Sequence, residues 1–152
     1  MVILLDATPL GLITNPRMSG TALHCSQWLT AHLAHGARVI IPEIADYEVR
    51  RELLRAGKTH GLARLDQLQT VLEYAPLTTA AMRQAAVFWA QARQQGQPTA
   101  PAAALDGDVI LAAQAATFDA AGDTVIIATA NVTHLARFTV ARDWPEILPP
   151  PA

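Results

Sequence analysis

The sequence predicts a doubly wound α/β domain, and three observations carry that expectation. Short apolar runs such as Val2-Ile3-Leu4-Leu5 and Val39-Ile40-Ile41 have the length of strands buried on both faces, the kind found in parallel sheets. Stretches with helical apolar spacing lie between them, and strands alternating with helices argue for a layered parallel sheet. Polar residues recur just after the strands, where open α/β sheets place their ligand sites. With 152 residues, 51% of them hydrophobic, the chain is expected to form one domain with a substantial core.

Each element has a local reason. The first strand, 2–5, runs into Asp6, and the chain is expected to turn at Thr8-Pro9, with a polar turn from Thr14 to Gly20. A helix over 21–35 carries Ala22, Cys25, Leu29 and Leu33 on one side, with Gly36 as its C-terminal cap. Residues 38–41 make a second buried strand, closed by Pro42. A helix from Glu43 or Ile44 to Ala56 ends at Gly57, and another spans 61–71 on a stripe of Leu62, Leu65, Leu68 and Leu72. Pro76 stops that pattern, leaving 72–75 as a short third strand. Thr78 or Thr79 caps a helix that points Met82, Ala85, Ala86 and Trp89 inward and ends before Gly96. Residues 96–104 read as a Pro/Ala loop, and 106–121 as an alanine-rich helix able to approach the sheet closely. Residues 124–128 and 138–141 are the last strands, the latter at an edge. The domain is expected to span 1–144, with a frayed Pro-rich tail over 145–152.

Composition narrows the function classes. No apolar run reaches membrane-spanning length, and the N-terminal stretch lacks a basic flank and is broken by Asp6, unlike a signal peptide. A single cysteine, Cys25, at core spacing, fits a reducing cytoplasm. The formal charge of −2 gives no global attraction to nucleic acid, so local clusters matter more. Arg50, Arg51 and Arg55 form one such cluster; they can fork onto phosphates or pair with Glu48 and Glu52. His32 and His35 are helical neighbours without a third ligand, so zinc is not expected; His134, three residues after Asn131, could approach that residue's surroundings but is first read as a surface residue.

The acids have both plain and functional readings. Glu43 and Asp46 complement a helix dipole, Glu52 reads as a salt-bridge partner, and Asp106 is a natural N-cap. Asp108 lies in a first turn beside Val109, Ile110 and Leu111, and the dipole alone does not require it. Acids from different strand ends would repel one another unless a hard cation such as Mg²⁺ or Mn²⁺ neutralised them.

The segments VILLDATPL, PEIADYEVRREL, LDGDVILAAQA and VIIATANVTHL, in this order and spacing, resemble the four motifs of the PIN-domain family, which includes the VapC-type toxin nucleases. The resemblance spans residues 2 to about 138. It implies a three-layer Rossmann-like fold with a mainly parallel sheet of about five strands. It also implies Mg²⁺- or Mn²⁺-dependent cleavage of RNA, with Asp6, Glu48, Asp108 and Asn131 as catalytic positions. The metal would rest on Asp6, Glu48 and Asp108, with Thr8, Asp106 and Thr129 in support. Asn131 departs from the family's more common Asp. Arg17, Arg50, Arg51 and Arg55 are the candidates for RNA contact, and the expected partners are RNA, a small antitoxin protein and a second copy of the chain, in the cytoplasm.

Two rivals are weighed against this reading. The same fold could serve as a weak or non-catalytic module binding RNA or a protein, in which case Asp6→Asn would change nothing. A phosphotransfer receiver would want paired acids at the first strand and a lysine late in the chain; the only lysine is Lys58, and no Gly-rich phosphate loop is present.

Overall fold

The computed structural model describes residues 1–96 and 102–151. Its centre is a five-stranded sheet built from β1 (Val2–Leu5), β2 (Arg38–Pro42), β3 (Glu73–Ala75), β4 (Val125–Thr129) and β5 (Ala141–Asp143). The strands are all parallel and run in the order β3-β2-β1-β4-β5, with Leu4 facing Ile40 on one side and Ile127 on the other. The helices are α1 (Ala7–Thr14), α2 (Gly20–Ala34), α3 (Glu43–Arg55), α4 (Thr59–Val71), α5 (Thr79–Gln94), α6 (Ala102–Thr117) and α7 (Val132–Leu135).

Because side chains alternate across a strand, β1 feeds two cores at once. Ile3 and Leu5 join Val39 and Ile41 under α1 to α4, with Leu10, Ile13, Cys25, Trp28 and Leu65. Val2 and Leu4 join Ile40 and Ile127 under α6 and α7, with Leu111, Ala112 and Leu135. The three-layer α/β fold is therefore as expected. Gly36 and Gly57 end α2 and α3 at φ +80° and +65°, the left-handed turn that glycine takes without steric cost. Among the described residues no helix is long and apolar enough to cross a membrane.

Several elements depart from expectation. The chain does not turn at Thr8-Pro9 but enters α1 at once; Pro9 is the third residue of that helix, where no internal bond needs its missing N–H. On α5 the inward face is Ala81, Ala85, Phe88 and Ala92, while Met82 and Trp89 remain 45% and 37% exposed. Small alanines let α5 lie close against α6, an outcome that a search for large apolar residues does not find. Leu33 on α2 is likewise largely exposed. Of the expected loop over 96–104, residues 97–101 lie outside the described residues, and α6 already begins at Ala102. That helix stops at Thr117, short of the expected Ala121, before a turn in which Asp119 accepts the Ala121 N–H.

The last strand begins three residues later than expected, because Phe138 and Thr139 are folded back onto the Leu135 carbonyl. The expectation of fraying from Pro145 also fails for Pro145–Ile147. Trp144 opens a 3-10 turn and is buried with Ile147, whose carbonyl accepts from Trp28 Nε1 at 3.0 Å and pairs with His32 Nε2 at 2.8 Å.

Candidate active site

The strand order reverses at β1: β2 and β3 lie to one side, β4 and β5 to the other. Such a reversal opens a crevice at the carboxyl ends of the two strands that flank it. Asp6 stands there as the first residue beyond β1. Its extended backbone (φ −71°, ψ 168°) makes it the N-cap of α1, with Oδ1 accepting the Ala7 N–H at 2.7 Å. Its Oδ2 accepts the hydroxyl of Thr129, the last residue of β4, at 2.6 Å. Residues at the two ends of the chain are thus joined across the reversal.

The connection continues. Thr129 Oγ1 accepts the Asn131 N–H at 2.8 Å, and the Asn131 amide nitrogen lies 3.0 Å from His134 Nδ1. The same ring nitrogen is 3.4 Å from Asp108 Oδ2. With Nδ1 unprotonated, His134 accepts from Asn131; with Nδ1 protonated, it donates to Asp108. In either state one turn of α7 sets His134 between the end of β4 and the carboxylate on α6. His134 is therefore not the surface residue expected from sequence. Its signal was the three-residue step from Asn131, which stacks the two side chains on one helical turn.

Glu48 enters from α3. Its Oε1 would lie 3.0 Å from a Cβ at Gly107, so the glycine beside Asp108 is what admits this side chain. Gln114, buried on α6, fixes the relation between the two helices: Oε1 accepts the Ile44 N–H at 3.2 Å and Nε2 donates to the Ala75 carbonyl at 2.8 Å. Sequence reasoning did not single it out; a lone glutamine in an alanine-rich helix was the available sign.

The electrostatics tie the three acids together. Burial pushes the Glu48 carboxyl above the usual range, and the charges of Asp6 and Asp108 push it further while Arg51 opposes them. Burial also raises Asp108, against the pull of His134, and the charge of Asp6 adds to the rise. The charge of Asp6 thus bears on both Glu48 and Asp108. All are hard oxygen donors, the chemistry that suits a divalent cation such as Mg²⁺ or Mn²⁺. As the side chains stand, no three His, Cys, Asp or Glu groups among the described residues are gathered closely enough to hold a metal ion.

The remaining candidates divide clearly. Thr129 is buried within the connection described above, while Thr8 is exposed beside it on α1. Asp106 is not an N-cap, because α6 starts four residues earlier; it is exposed, and two positions from Asp108 puts it on another side of the helix. Glu52 pairs with Arg55 at 2.9 Å, as its plain reading had it. Arg50 leaves the set of RNA contacts, since its guanidinium is held by Asp46 at 3.0 Å and Asp66 at 2.9 Å. Arg51 lies over the exposed Tyr47 ring, 5.1 Å from its centroid. Arg17 lies far along α1, in the turn that follows it. Glu43 and Asp46 do more than complement a dipole: Glu43 accepts the Leu77 N–H at 2.9 Å, and Asp46 accepts the Tyr74 hydroxyl at 2.9 Å.

The sequence matches no family model and no curated protein. Solved structures do match. A chain of VapBC2 from Rickettsia felis, in a crystal structure bound to a DNA fragment from their promoter, superposes with a TM-score of 0.67 at 16% identity, over 93% of this chain and 98% of that one. A chain of VapBC-1 from nontypeable Haemophilus influenzae gives 0.68 at 14% identity, over 96% and 100%. At these identities the likeness is one of fold, and it extends over nearly the full length of each chain. The chain thus has the α/β fold that its resemblance to PIN domains implies, and shares it with chains of two VapBC assemblies.

Proposed function

We propose that this protein is a divalent-metal-dependent endoribonuclease of the PIN type, acting in the cytoplasm as the toxin of a toxin–antitoxin pair. The observation that carries this reading is the hydrogen bonding that ties Asp6 to Thr129 and Thr129 to Asn131 at the strand-order reversal, with His134 Nδ1 beside Asp108 and Glu48 seated against Gly107. On this reading Asp6, Glu48 and Asp108, from distant parts of the sequence, serve the crevice at the strand-order reversal. Similarity of fold to chains of VapBC assemblies supports a small antitoxin protein as partner.

Asp6, Glu48 and Asp108 would hold Mg²⁺ or Mn²⁺, and Asn131 would add a neutral oxygen. Bound there, the cation supplies Lewis acidity for hydrolysis of an RNA phosphodiester. The chain's own groups prepare the crevice. The Thr129 hydroxyl donates to Asp6 and fixes one of its oxygens, so the carboxylate meets its ligand already oriented. His134 places Asp108 in the same way.

The test incubates purified protein with mixed RNA and Mn²⁺, Mg²⁺ or EDTA, beside Asp6→Asn and Asp108→Asn. Cleavage should require the cation and fall at least a hundredfold in each variant. Cleavage that persists in both variants would remove this crevice from the chemistry. Growth arrest on expression, relieved by a co-expressed small neighbouring protein, tests the toxin assignment.

A further inference from the structure

Beside the acidic crevice, α1 and α3 bound two cavities that run into each other. The nearer, about 380 Å³, opens at Thr8 and Glu48; the farther, about 580 Å³, ends at Arg17 and His60. Gly11, Thr14, Leu53 and Lys58 line both, so the two form one continuous trench. Charge changes sign along it. Glu48 and Glu52 stand at the head, Lys58 at the junction of the two cavities, and Arg17 with His60 at the far end. Among the described residues Lys58 and Arg17 enter no ion pair, whereas Arg55, in the nearer cavity, is held by Glu52. The base of the trench is Gly11, an ordinary helical residue of α1; a Cβ there would meet no atom within 4 Å.

We propose that this trench seats a single strand of RNA, leading from the bond to be cut at the acidic crevice to a phosphate-binding basin made by Lys58, Arg17 and His60. The proposal rests on the ribonuclease reading above and adds to it the path and polarity of the substrate. A polyanion carries a charge at every residue, so it places one phosphate where the acids gather a cation and the following ones where free cations wait. A positively charged groove tracking the backbone is the general solution for single strands. Thr8 and Thr14 add hydroxyl-bearing walls, although the Thr14 hydroxyl is itself bonded to the Gly11 carbonyl at 2.9 Å. A lysine that sequence reasoning counted only against a rival function thereby acquires a role.

Gly11 provides the test, because a large side chain there fills the trench without entering the core. Binding of a fluorescein-labelled single-stranded oligouridylate is followed by anisotropy in an Asp6→Asn background, which separates binding from cleavage. Gly11→Phe should weaken binding by tenfold or more at an unchanged or raised melting temperature. Lys58→Gln and Arg17→Gln should each weaken it by roughly threefold to tenfold and flatten its salt dependence by about 0.7 in log–log slope. Arg93→Gln, on the opposite layer, should leave it unchanged. Binding by Gly11→Phe equal to that of the parent overturns the proposal, as does failure of the parent to bind, and the trench would then be open to a peptide partner instead. Retained cleavage with indifferent Gly11→Phe refutes the trench alone. Loss of binding in Gly11→Phe with no cleavage by the wild-type chain supports the trench while refuting the nuclease.

Discussion

Replacing Gly107 by alanine should move stability and activity in opposite directions. Alanine is favoured over glycine inside a helix by about 0.8–1.0 kcal/mol, and Gly107 lies well within α6. For a chain of this size that corresponds to a rise of about 2–4 °C in melting temperature. The added methyl would stand 3.0 Å from Glu48 Oε1, so the carboxylate must withdraw by a few tenths of an ångström. Being the far end of a flexible side chain, it can do so at little cost to the fold. The displacement falls on a group proposed to share the cation, however. A misplacement of 1 Å in a catalytic arrangement costs about 100-fold, so a shift of a few tenths should cost about fourfold. Initial cleavage rates at saturating Mg²⁺ and thermal melting of the same preparation read the two effects. A higher melting temperature with an unchanged rate would refute the assignment of Glu48 to the site. A lower melting temperature would refute the packing described around Gly107.

Thr129→Val keeps the shape of a buried residue while removing the hydroxyl that donates to Asp6; stability should drop by about 1–2 kcal/mol in denaturant titration, with at least a tenfold loss of cleavage. His32 is fully buried, and burial holds its pKa below the ordinary 6.5 even though the Ile147 carbonyl opposes the shift. Below about pH 6.5 the unfolded chain therefore binds a proton that the folded chain resists, so stability should fall as pH drops through that window. Melting temperatures from pH 7.5 to 5 should show this slope, and His32→Leu should flatten it. Ending the chain after Asp143 removes buried Trp144 and Ile147 with the bonds from Trp28 and His32, and should cost at least about 3–5 kcal/mol in urea unfolding. Burial lifts the Cys25 thiol to about 12, so thiol reagents should label it only after denaturation.

What the sequence made legible follows the strength of the local physics. Buried parallel strands are nearly continuous apolar runs, so β1, β2 and β4 could be found almost to the residue. Asp6 could be singled out because a carboxylate directly after such a run has few other reasons to be there. Helix α1 was missed because Pro9 looks like a breaker, and only knowledge of where the helix begins shows that it sits in the tolerated first turn. The face of α5 was misread because periodicity identifies opposed faces equally well; the choice between bulky and small residues was made by α6, a distant part of the chain. Polar residues were hardest. Gln114 and His134 owe their roles to partners 70 and 26 positions away, and the local signs, a lone glutamine among alanines and a three-residue step from Asn131, do not name those partners.

The placement of β1 in the middle of the sheet has a consequence for synthesis. Strand β1 must wait for β4, more than a hundred residues later, before both its edges are paired. Until Thr129 has emerged, Asp6 lacks the hydroxyl that orients it, and Asp108 lacks its link through His134. Translation thus keeps the crevice unassembled for most of the time the chain is being made. On the ribonuclease reading proposed above, such a chain would be inert toward the messenger and ribosome producing it until β4 is in place, and a protein partner would meet it as a finished surface.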